Sequence, residues 1–281
     1  MKLREYKAFF IEKLAPLYDN DEAEQFFYIT LEELKGWKRI ELALQPDAEL
    51  TADESEKWNA VAAQLEQQKP IQYIFGKAHF YGLDFKINEH TLIPRPETEE
   101  LVEWIIKENK DTAKLKILDI GTGSGCIGIT LAKNLPQAEV YAIDVSEAAL
   151  TIAQVNALMN NANVTFIRKD ILAIHSLDEG FDIIVSNPPY VRNLEKQEIK
   201  PNVLDYEPHL ALFVDDNDPL LFYKKIAALA QQSLTDKGKL YFEINQYLGA
   251  ETTDMLQHMK FSQVELRKDI YGNDRMIKVL I

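Results

Sequence analysis

The chain has 281 residues, a formal net charge of −14 and a hydrophobic fraction of 46%, enough for one large or two smaller globular domains. The acidic balance argues against a general nucleic-acid or anionic-membrane binder, since clustered lysine and arginine neutralise phosphates. The single cysteine, Cys126, excludes an internal disulfide, and the five histidines lack metal-ligand spacing. We expect a soluble cytoplasmic protein without a metal site, because early charged residues and the lack of long apolar runs disfavour a signal peptide or a membrane span.

Residues 1–75 have the periodicity of a small bundle of four or five helices. Apolar residues recur at helical spacing, and no strand pattern interrupts them. Thr51 and Glu54 have the spacing of a capping box at the start of one helix. Acidic residues outnumber basic ones here, which is typical of a solvated surface and is also compatible with docking of a basic partner.

The pattern changes to that of strands after Lys69. Ile71, Tyr73 and Phe75 alternate, and the runs 78–81 and 83–87 flank Gly82 as in a β-hairpin. We assign residues 76–95 to a hairpin linker. A helix is then predicted from Pro96, because proline suits the first turn and carboxylates follow it.

Residues 96–281 predict an α/β domain with a doubly wound, mostly parallel sheet, because strand and helix patterns alternate. The last two strand patterns have no helix between them, so the sheet should end with an antiparallel strand. The expected strands are 116–120, 139–143, 164–169, 181–185, 239–244, 263–268 and 276–280. The expected helices are 125–134, 146–160, 219–234 and 248–259.

A glycine-rich segment, Asp119–Gly125, lies where the first of these strands turns into a helix. Glycines let a ligand approach the backbone, and a helix start offers unpaired N–H groups. Asp144 ends the next strand and could accept both ribose hydroxyls, and Asp170 ends the third and could accept an adenine amino group. The predicted cofactor-binding residues are Asp119, Gly121, Thr122, Gly123, Ser124, Gly125, Asp144, Asp170, Ile171 and Asn187.

The Asn-Pro-Pro-Tyr turn, Asn187–Tyr190, follows the buried strand pattern 181–185. Two prolines cannot continue a strand and fix their own φ, so the turn is stiff. The Asn187 side-chain oxygen and the Pro188 carbonyl could accept two N–H bonds of a planar NH₂ group, and Tyr190 could pack on that group. Orientation and charge stabilisation would then drive a transfer to its nitrogen. The predicted catalytic residues are Asn187, Pro188, Pro189 and Tyr190.

The glycine loop has more than one interpretation. Gly123, Gly125 and Gly128 also satisfy the GxGxxG pattern of NAD sites, and a tight turn without a ligand is possible. Asp119 before the glycines, the antiparallel last strand and the Asn-Pro-Pro-Tyr turn favour S-adenosylmethionine. Cys126 after the loop is interpreted as a small core residue rather than a reactive thiol.

These motifs resemble the class I S-adenosylmethionine-dependent methyltransferases, and among them the release-factor glutamine methyltransferases. The resemblance covers nearly the whole chain and includes the segments Pro70–Gly76, Phe80–Phe85, Ile93–Glu99, Asp119–Gly125, Asn187–Tyr190, Tyr206–Pro208 followed by Ala211-Leu212, and Asp269–Arg275. The Asn-Pro-Pro-Tyr turn alone is shared with adenine-N6 methyltransferases. The hairpin and the Arg-Pro-Glu-Thr-Glu segment at 95–99 are more specific.

The resemblance implies a seven-stranded catalytic domain at 96–281, a helical substrate-recognition domain at 1–75 and the hairpin between them. It implies methyl transfer from S-adenosylmethionine, leaving S-adenosylhomocysteine, to the side-chain amide nitrogen of the glutamine in the Gly-Gly-Gln loop of peptide-chain release factors. Release factors would be the partner, without direct binding of nucleic acid or membrane, and we expect a monomer. Competing interpretations are an adenine-N6 DNA or RNA methyltransferase, an NAD-linked oxidoreductase and a catalytically silent binding module.

The chain departs from the family pattern in three places. Ile171 stands where an aromatic often packs on adenine, Asn245 replaces a glycine after Glu243-Ile244, and Asp218-Pro219 replaces a usual glycine. Arg95 and Arg275 could each be structural ion-pair partners or could shape the site. Glu97 and Thr98 could reach the methionine end of the cofactor from the helix that begins at Pro96.

Overall fold

The computed structural model describes residues 1–281 and divides into two compact units. The first comprises Met1–Gly76 with Lys200–Tyr206, and the second comprises Lys77–Ile199 with Glu207–Ile281. The hairpin residues therefore belong to the second unit. No helix of the chain combines the length and apolarity needed to cross a bilayer.

Five helices of the first unit, all within Met1–Gly76, surround an aromatic core. Phe10, Phe27 and Trp58 are fully buried there. The capping box is confirmed, because the Thr51 hydroxyl accepts from the Glu54 N–H at 3.2 Å and the Glu54 carboxylate accepts from the Thr51 N–H at 2.8 Å. The helices are α1 (Leu3–Leu14), α2 (Asn20–Lys35), α3 (Arg39–Leu44), α4 (Ala52–Glu66) and α5 (Ile71–Phe75).

Helix α5 corrects the prediction that Ile71, Tyr73 and Phe75 alternate as a strand. The side chains of Ile71, Ile74 and Phe75 pack against the same core, which is the i, i+3, i+4 spacing of a helical face. Gly76 ends the helix in the left-handed region at φ 65°, and its N–H donates to the Gln72 carbonyl. A segment of this length fits the residue period of a strand and that of a helix, and here it forms a helix.

The second unit begins with the predicted hairpin, whose strands are β1 (Lys77–Phe80) and β2 (Leu83–Lys86). The segment between the Asn-Pro-Pro-Tyr turn and Leu221 adds short elements that the sequence did not predict: β7 (Val191–Arg192), a 3₁₀ helix (Asn193–Glu198), α9 (Pro201–Leu204, within the first unit), α10 (His209–Leu212) and β8 (Phe213–Val214). The remaining helices are α6 (Pro96–Asn109), α7 (Cys126–Asn134), α8 (Glu147–Met159), α11 (Leu221–Ser233) and α12 (Gly249–His258). The remaining strands are β3 (Lys116–Ile120), β4 (Glu139–Asp144), β5 (Val164–Arg168), β6 (Phe181–Ser186), β9 (Leu234–Glu243), β10 (Ser262–Lys268) and β11 (Asp274–Leu280).

Seven strands form one sheet in the order β10-β11-β9-β6-β3-β4-β5. Strands β5, β4, β3, β6 and β9 are parallel, and β11 is antiparallel to both β9 and β10. The prediction of a mostly parallel sheet with an antiparallel final strand is confirmed. Apolar residues of α6, α7 and α8 share one core with the sheet, and those of α11 and α12 share the other.

The strand order reverses between β3 and β6. The chain runs from β3 outward through β4 to β5 and then returns to β6 on the other side of β3. Ile120 pairs with Ser186 at the carboxyl ends of these strands, and the Ser186 hydroxyl donates to the Ile120 carbonyl at 2.7 Å. In doubly wound sheets a ligand crevice forms at this reversal.

Candidate functional site

The glycine loop lies at the carboxyl end of β3. Gly121 and Gly123 adopt φ of 73° and 56°, and a Cβ on either would meet nothing within 4 Å. The loop therefore presents bare backbone to the space above it. The N–H groups of Gly121 and Thr122 both donate to the Ile143 carbonyl of β4, at 2.9 and 3.1 Å, which fixes the loop against the sheet.

Asp119 lies beneath this loop and is fully buried. One of its oxygens accepts from the Thr122 hydroxyl at 2.5 Å and from the Gly128 N–H at 3.0 Å, and the other oxygen, Oδ1, has no partner. Burial and, to a smaller extent, the charge of Asp144 raise the pKa of Asp119 to about 7, and these two hydrogen bonds oppose the rise. Asp119 shapes the loop from below and does not line the cavity.

Above the loop is a cavity of about 440 Å³. Most of the predicted cofactor residues line it, and Asp119 and Gly125 do not. A Cβ on Gly125 would come within 2.8 Å of the Ile129 side chain, so this glycine serves packing beneath the loop. The predicted site residues that line the cavity are Gly121, Thr122, Gly123, Ser124, Asp144, Asp170, Ile171, Asn187, Pro188 and Pro189.

Two carboxylates line the cavity at the carboxyl ends of β4 and β5, those of Asp144 and Asp170. Asp144 accepts from the Gly123 N–H at 2.8 Å and from the Ser146 N–H at 2.8 Å, and these bonds leave lone pairs on both oxygens. Asp170 lies two residues beyond the last residue of β5, and it accepts from the Leu172 N–H at 2.9 Å. Ile171 lines the cavity beside it as an aliphatic surface.

The Asn-Pro-Pro-Tyr turn supplies the opposite wall at the end of β6. Asn187, Pro188 and Pro189 line the cavity, and Tyr190 does not. The Tyr190 side chain packs against the second core, and its hydroxyl donates to Glu243 Oε1 at 3.0 Å. Packing of this ring on a substrate group stays a prediction.

The structure also brings in residues whose roles the sequence left open or missed. Arg95 and Thr98 line the cavity. Arg95 forms an ion pair of 2.5 Å with the buried Glu207, which also accepts from the Ile93 N–H at 3.1 Å. Glu243, which sequence reasoning passed over, is a buried carboxylate at the end of β9. The sequence does contain a signal for Glu243 as a candidate site residue, since it is an acidic residue at the carboxyl end of an apolar strand pattern.

Arg275 and Cys126 have local roles. The Arg275 guanidinium pairs with Asp269 at 3.1 Å and ties the turn between β10 and β11. Cys126 belongs to the first core and also touches the cavity. Burial raises the pKa of its thiol to about 12, so the thiol stays protonated and behaves as an apolar group. Glu97 does not line the cavity.

The residues that line the cavity could hold an adenosine-type ligand. Gly121 and Gly123 border the cavity with bare backbone, Asp144 and Asp170 border it with carboxylates, and Ile171 offers an apolar contact. These are the groups that a ribose, an amino group and a flat ring require.

Two family models and several named relatives match this chain. Residues 98–205 match the methyltransferase small domain, and residues 9–76 match the PrmC N-terminal domain. The release factor glutamine methyltransferase of Flavobacterium psychrophilum is 60% identical over 99% of both chains. That of Bacteroides thetaiotaomicron is 44% identical over 96% of this chain and 97% of its own.

The chain belongs to the release factor glutamine methyltransferase family.

Solved structures show the same fold for this member of the family. A methyltransferase from Pyrococcus furiosus aligns with a TM-score of 0.52 at 20% identity, over 77% of this chain and 95% of that one. The 16S rRNA N2 G1207 methyltransferase of T. thermophilus, solved with AdoMet and guanosine, aligns with a TM-score of 0.52 at 17% identity, over 73% and 49%. The fold is that of class I methyltransferases.

Proposed function

We propose that this protein transfers a methyl group from S-adenosylmethionine to the side-chain amide nitrogen, N5, of the glutamine in the Gly-Gly-Gln loop of peptide-chain release factors. The observation that carries the reaction type is that the glycine loop and Asn187–Pro189 line the same cavity. The relatives at 60% and 44% identity are named as release factor glutamine methyltransferases, which supports the substrate.

The cofactor would be held by the loop Gly121–Ser124, by Asp144 and Asp170, and by Ile171 beside the adenine. When bound, S-adenosylmethionine supplies an electrophilic methyl group on a sulfonium. Because the departing group is a neutral thioether, which leaves readily, the protein's own task is to present the nucleophile in line with that methyl group.

An amide nitrogen is a poor nucleophile because its lone pair is delocalised into the carbonyl. Asn187 Oδ1 and the Pro188 carbonyl would accept its two N–H bonds and turn the nitrogen toward the cofactor. Transfer would form the C–N bond and break the bond between the methyl group and sulfur, and the nitrogen held by Asn187 and Pro188 would then release one proton to water. No strong base is required beforehand, because the nitrogen becomes acidic only as it is methylated.

The domain roles are part of the proposal. Residues 1–75 would recognise the body of the release factor, the hairpin 76–95 would link the domains, and 96–281 would catalyse the reaction. The match of residues 9–76 to the PrmC N-terminal domain supports a separate helical module. We propose that the protein acts as a monomer in the cytoplasm, where release factors function.

The test is incubation with methyl-labelled S-adenosylmethionine and either an unmethylated release factor or nucleic acid. We expect label on the loop glutamine of the release factor and none on a variant with that glutamine replaced. Label in DNA or RNA alone would instead establish an adenine-N6 methyltransferase. Asn187→Ala should lower transfer by about 100-fold or more, while the calorimetric Kd for the cofactor changes less than about twofold.

A further inference from the structure

A hydrogen-bonded chain connects the Asn187 amide to a buried carboxylate. Thr98, at the start of α6, donates its hydroxyl to Glu243 Oε2 at 2.5 Å. Asn187 Nδ2 points to the Thr98 hydroxyl oxygen at 3.4 Å. The Tyr190 hydroxyl donates to the other oxygen of Glu243 at 3.0 Å. These hydrogen bonds thus connect the start of α6 to the ends of β6 and β9.

The polarity of this chain follows from counting hydrogens. An ionised carboxylate only accepts, and a threonine hydroxyl has a single hydrogen to give. Since Thr98 gives that hydrogen to Glu243, the Thr98 oxygen can only accept from Asn187. The NH₂ end of the Asn187 amide therefore faces Thr98. The Asn187 Oδ1 atom has no part in these hydrogen bonds and is left for a ligand.

The surroundings of Glu243 support its role as the fixed acceptor. Its side chain is 1% exposed. Both of its oxygens accept hydrogen bonds, Oε2 from Thr98 and Oε1 from Tyr190. Burial raises the pKa of Glu243, and these two hydrogen bonds together with the charge of Arg275 oppose that rise without cancelling it. Thr98 is 3% exposed and at the cavity wall. A reversed Asn187 amide would set two oxygens against each other with no hydrogen between them.

We propose that Thr98 and Glu243 are positioning residues, which hold the Asn187 amide so that Oδ1 faces the N–H of the substrate amide. The inference rests on the proposed function, because it concerns how Asn187 accepts that N–H bond. The bond of 3.4 Å is longer than usual, and such contacts commonly shorten when substrate binds. Misorientation of Asn187 would slow the chemical step without removing a contact to the cofactor.

The test compares Thr98→Val, which keeps the shape and removes the hydroxyl, with Thr98→Ser, which keeps the hydroxyl. With release factor as substrate, we expect Thr98→Val to lower kcat by about 10- to 100-fold, with the calorimetric cofactor Kd unchanged. The Tm should fall, because the buried Glu243 carboxylate loses a donor, so kcat is measured well below the Tm of each variant. Thr98→Ser should restore kcat to within about threefold of the wild type. Thr130→Val is the matched control, because Thr130 is also fully buried on a helix but its hydroxyl has no partner.

Full kcat in Thr98→Val, or equal loss in a folded Thr98→Ser, would overturn the inference. Glu243→Gln is the second variant if Thr98→Val does not fold. Its amide can donate to the Thr98 oxygen, so the Thr98 hydrogen is released toward Asn187 and the amide orientation is no longer fixed. We expect a comparable loss of kcat, and an unchanged kcat would refute the role of the carboxylate. A wild-type protein that transfers no label to release factor would refute the proposed function itself, which separates the two failures.

Discussion

Asn245 connects the Asn-Pro-Pro-Tyr turn to the 3₁₀ helix that follows it. Its Nδ2 donates to the Tyr190 carbonyl at 3.0 Å and to the Glu195 carboxylate at 2.9 Å. Asn245 and Glu195 are both buried, and Arg192 also donates to Glu195. The asparagine at this position, where the family pattern has glycine, thus supplies a donor to a buried carboxylate and to a backbone carbonyl.

We predict that Asn245→Ala lowers the free energy of unfolding by about 1–3 kcal/mol, because two buried acceptors lose a donor. Urea denaturation measures this change. Asn217→Ala is the control, since Asn217 is exposed and bonds only within its own turn, and it should change stability by less than about 0.5 kcal/mol. Equal effects in both variants would contradict a specific role for Asn245.

Thr130 is a buried polar side chain without a partner. It is fully buried in α7, and its hydroxyl oxygen makes no hydrogen bond. Because an unpaired buried hydroxyl is costly and valine has nearly the same shape, we predict that Thr130→Val raises the free energy of unfolding by up to about 1 kcal/mol. Thermal denaturation should show a Tm higher by about 2–4 °C at most. A lower Tm would mean that the hydroxyl is hydrogen-bonded in solution.

At the scale of elements, Glu108 ties the end of α6 to the antiparallel side of the sheet. Its carboxylate accepts from Lys278 of β11 and from Trp104 at 2.7 Å each, and from Tyr241 of β9 at 2.8 Å. Burial alone would raise the pKa of Glu108, but these donors hold it down at about 2. The ionised form is therefore favoured in the folded state.

This shift predicts an acid-dependent loss of stability. A carboxyl with a lowered folded pKa stabilises the protein above its unfolded value of 4.5, and that contribution disappears as the pH falls toward about 2. Glu108→Gln should cost about 1–3 kcal/mol at pH 7 and almost nothing near pH 2. Urea denaturation across this range measures it. Glu103→Gln on the same helix removes only an exposed pair with Lys107 and should cost less than about 1 kcal/mol at either pH.

The elements that the sequence predicted well are those with a long, consistent pattern. The buried run of β6 admits only a strand, because its apolar residues end at two prolines. Helix α5 was mistaken for a strand because five residues fit both periods. Strands β7 and β8 were missed since each has two residues and the pair is formed only by tertiary structure.

The same reasoning applies within the site. The glycine loop and Asn187 carry local signals, since unusual backbone angles and prolines are readable in sequence. The contact between Thr98 and Glu243 spans 145 positions, and nothing local at either residue indicates the other. The Tyr190 hydroxyl likewise bonds to Glu243, at the end of β9. The sequence around Tyr190 does not indicate this partner, so it could not show that Tyr190 does not line the cavity.

At the scale of the whole molecule, charge is the property most open to test. The chain carries a net charge of −14, and the helical unit contributes to the excess of acidic residues. Glu12, Glu32 and Glu56 are exposed on α1, α2 and α4. They lie outside the first helical turns, so their replacement leaves the helix starts intact. If these helices recognise a basic surface of the release factor, the three carboxylates should contribute long-range attraction.

We predict that the triple variant Glu12→Lys, Glu32→Lys, Glu56→Lys raises KM for the release factor by about 5- to 10-fold at low salt, with kcat and the cofactor Kd unchanged. The increase should shrink at about 0.5 M salt, because the Debye length falls well below 10 Å. The control triple variant, Glu139→Lys, Asp236→Lys, Asp254→Lys, changes the net charge equally at exposed positions of the second unit. Steady-state kinetics with both variants distinguishes the effect of this acidic surface on KM from the effect of the total charge. Equal KM in the two variants would show that the helical unit does not use its acidic surface to bind the substrate.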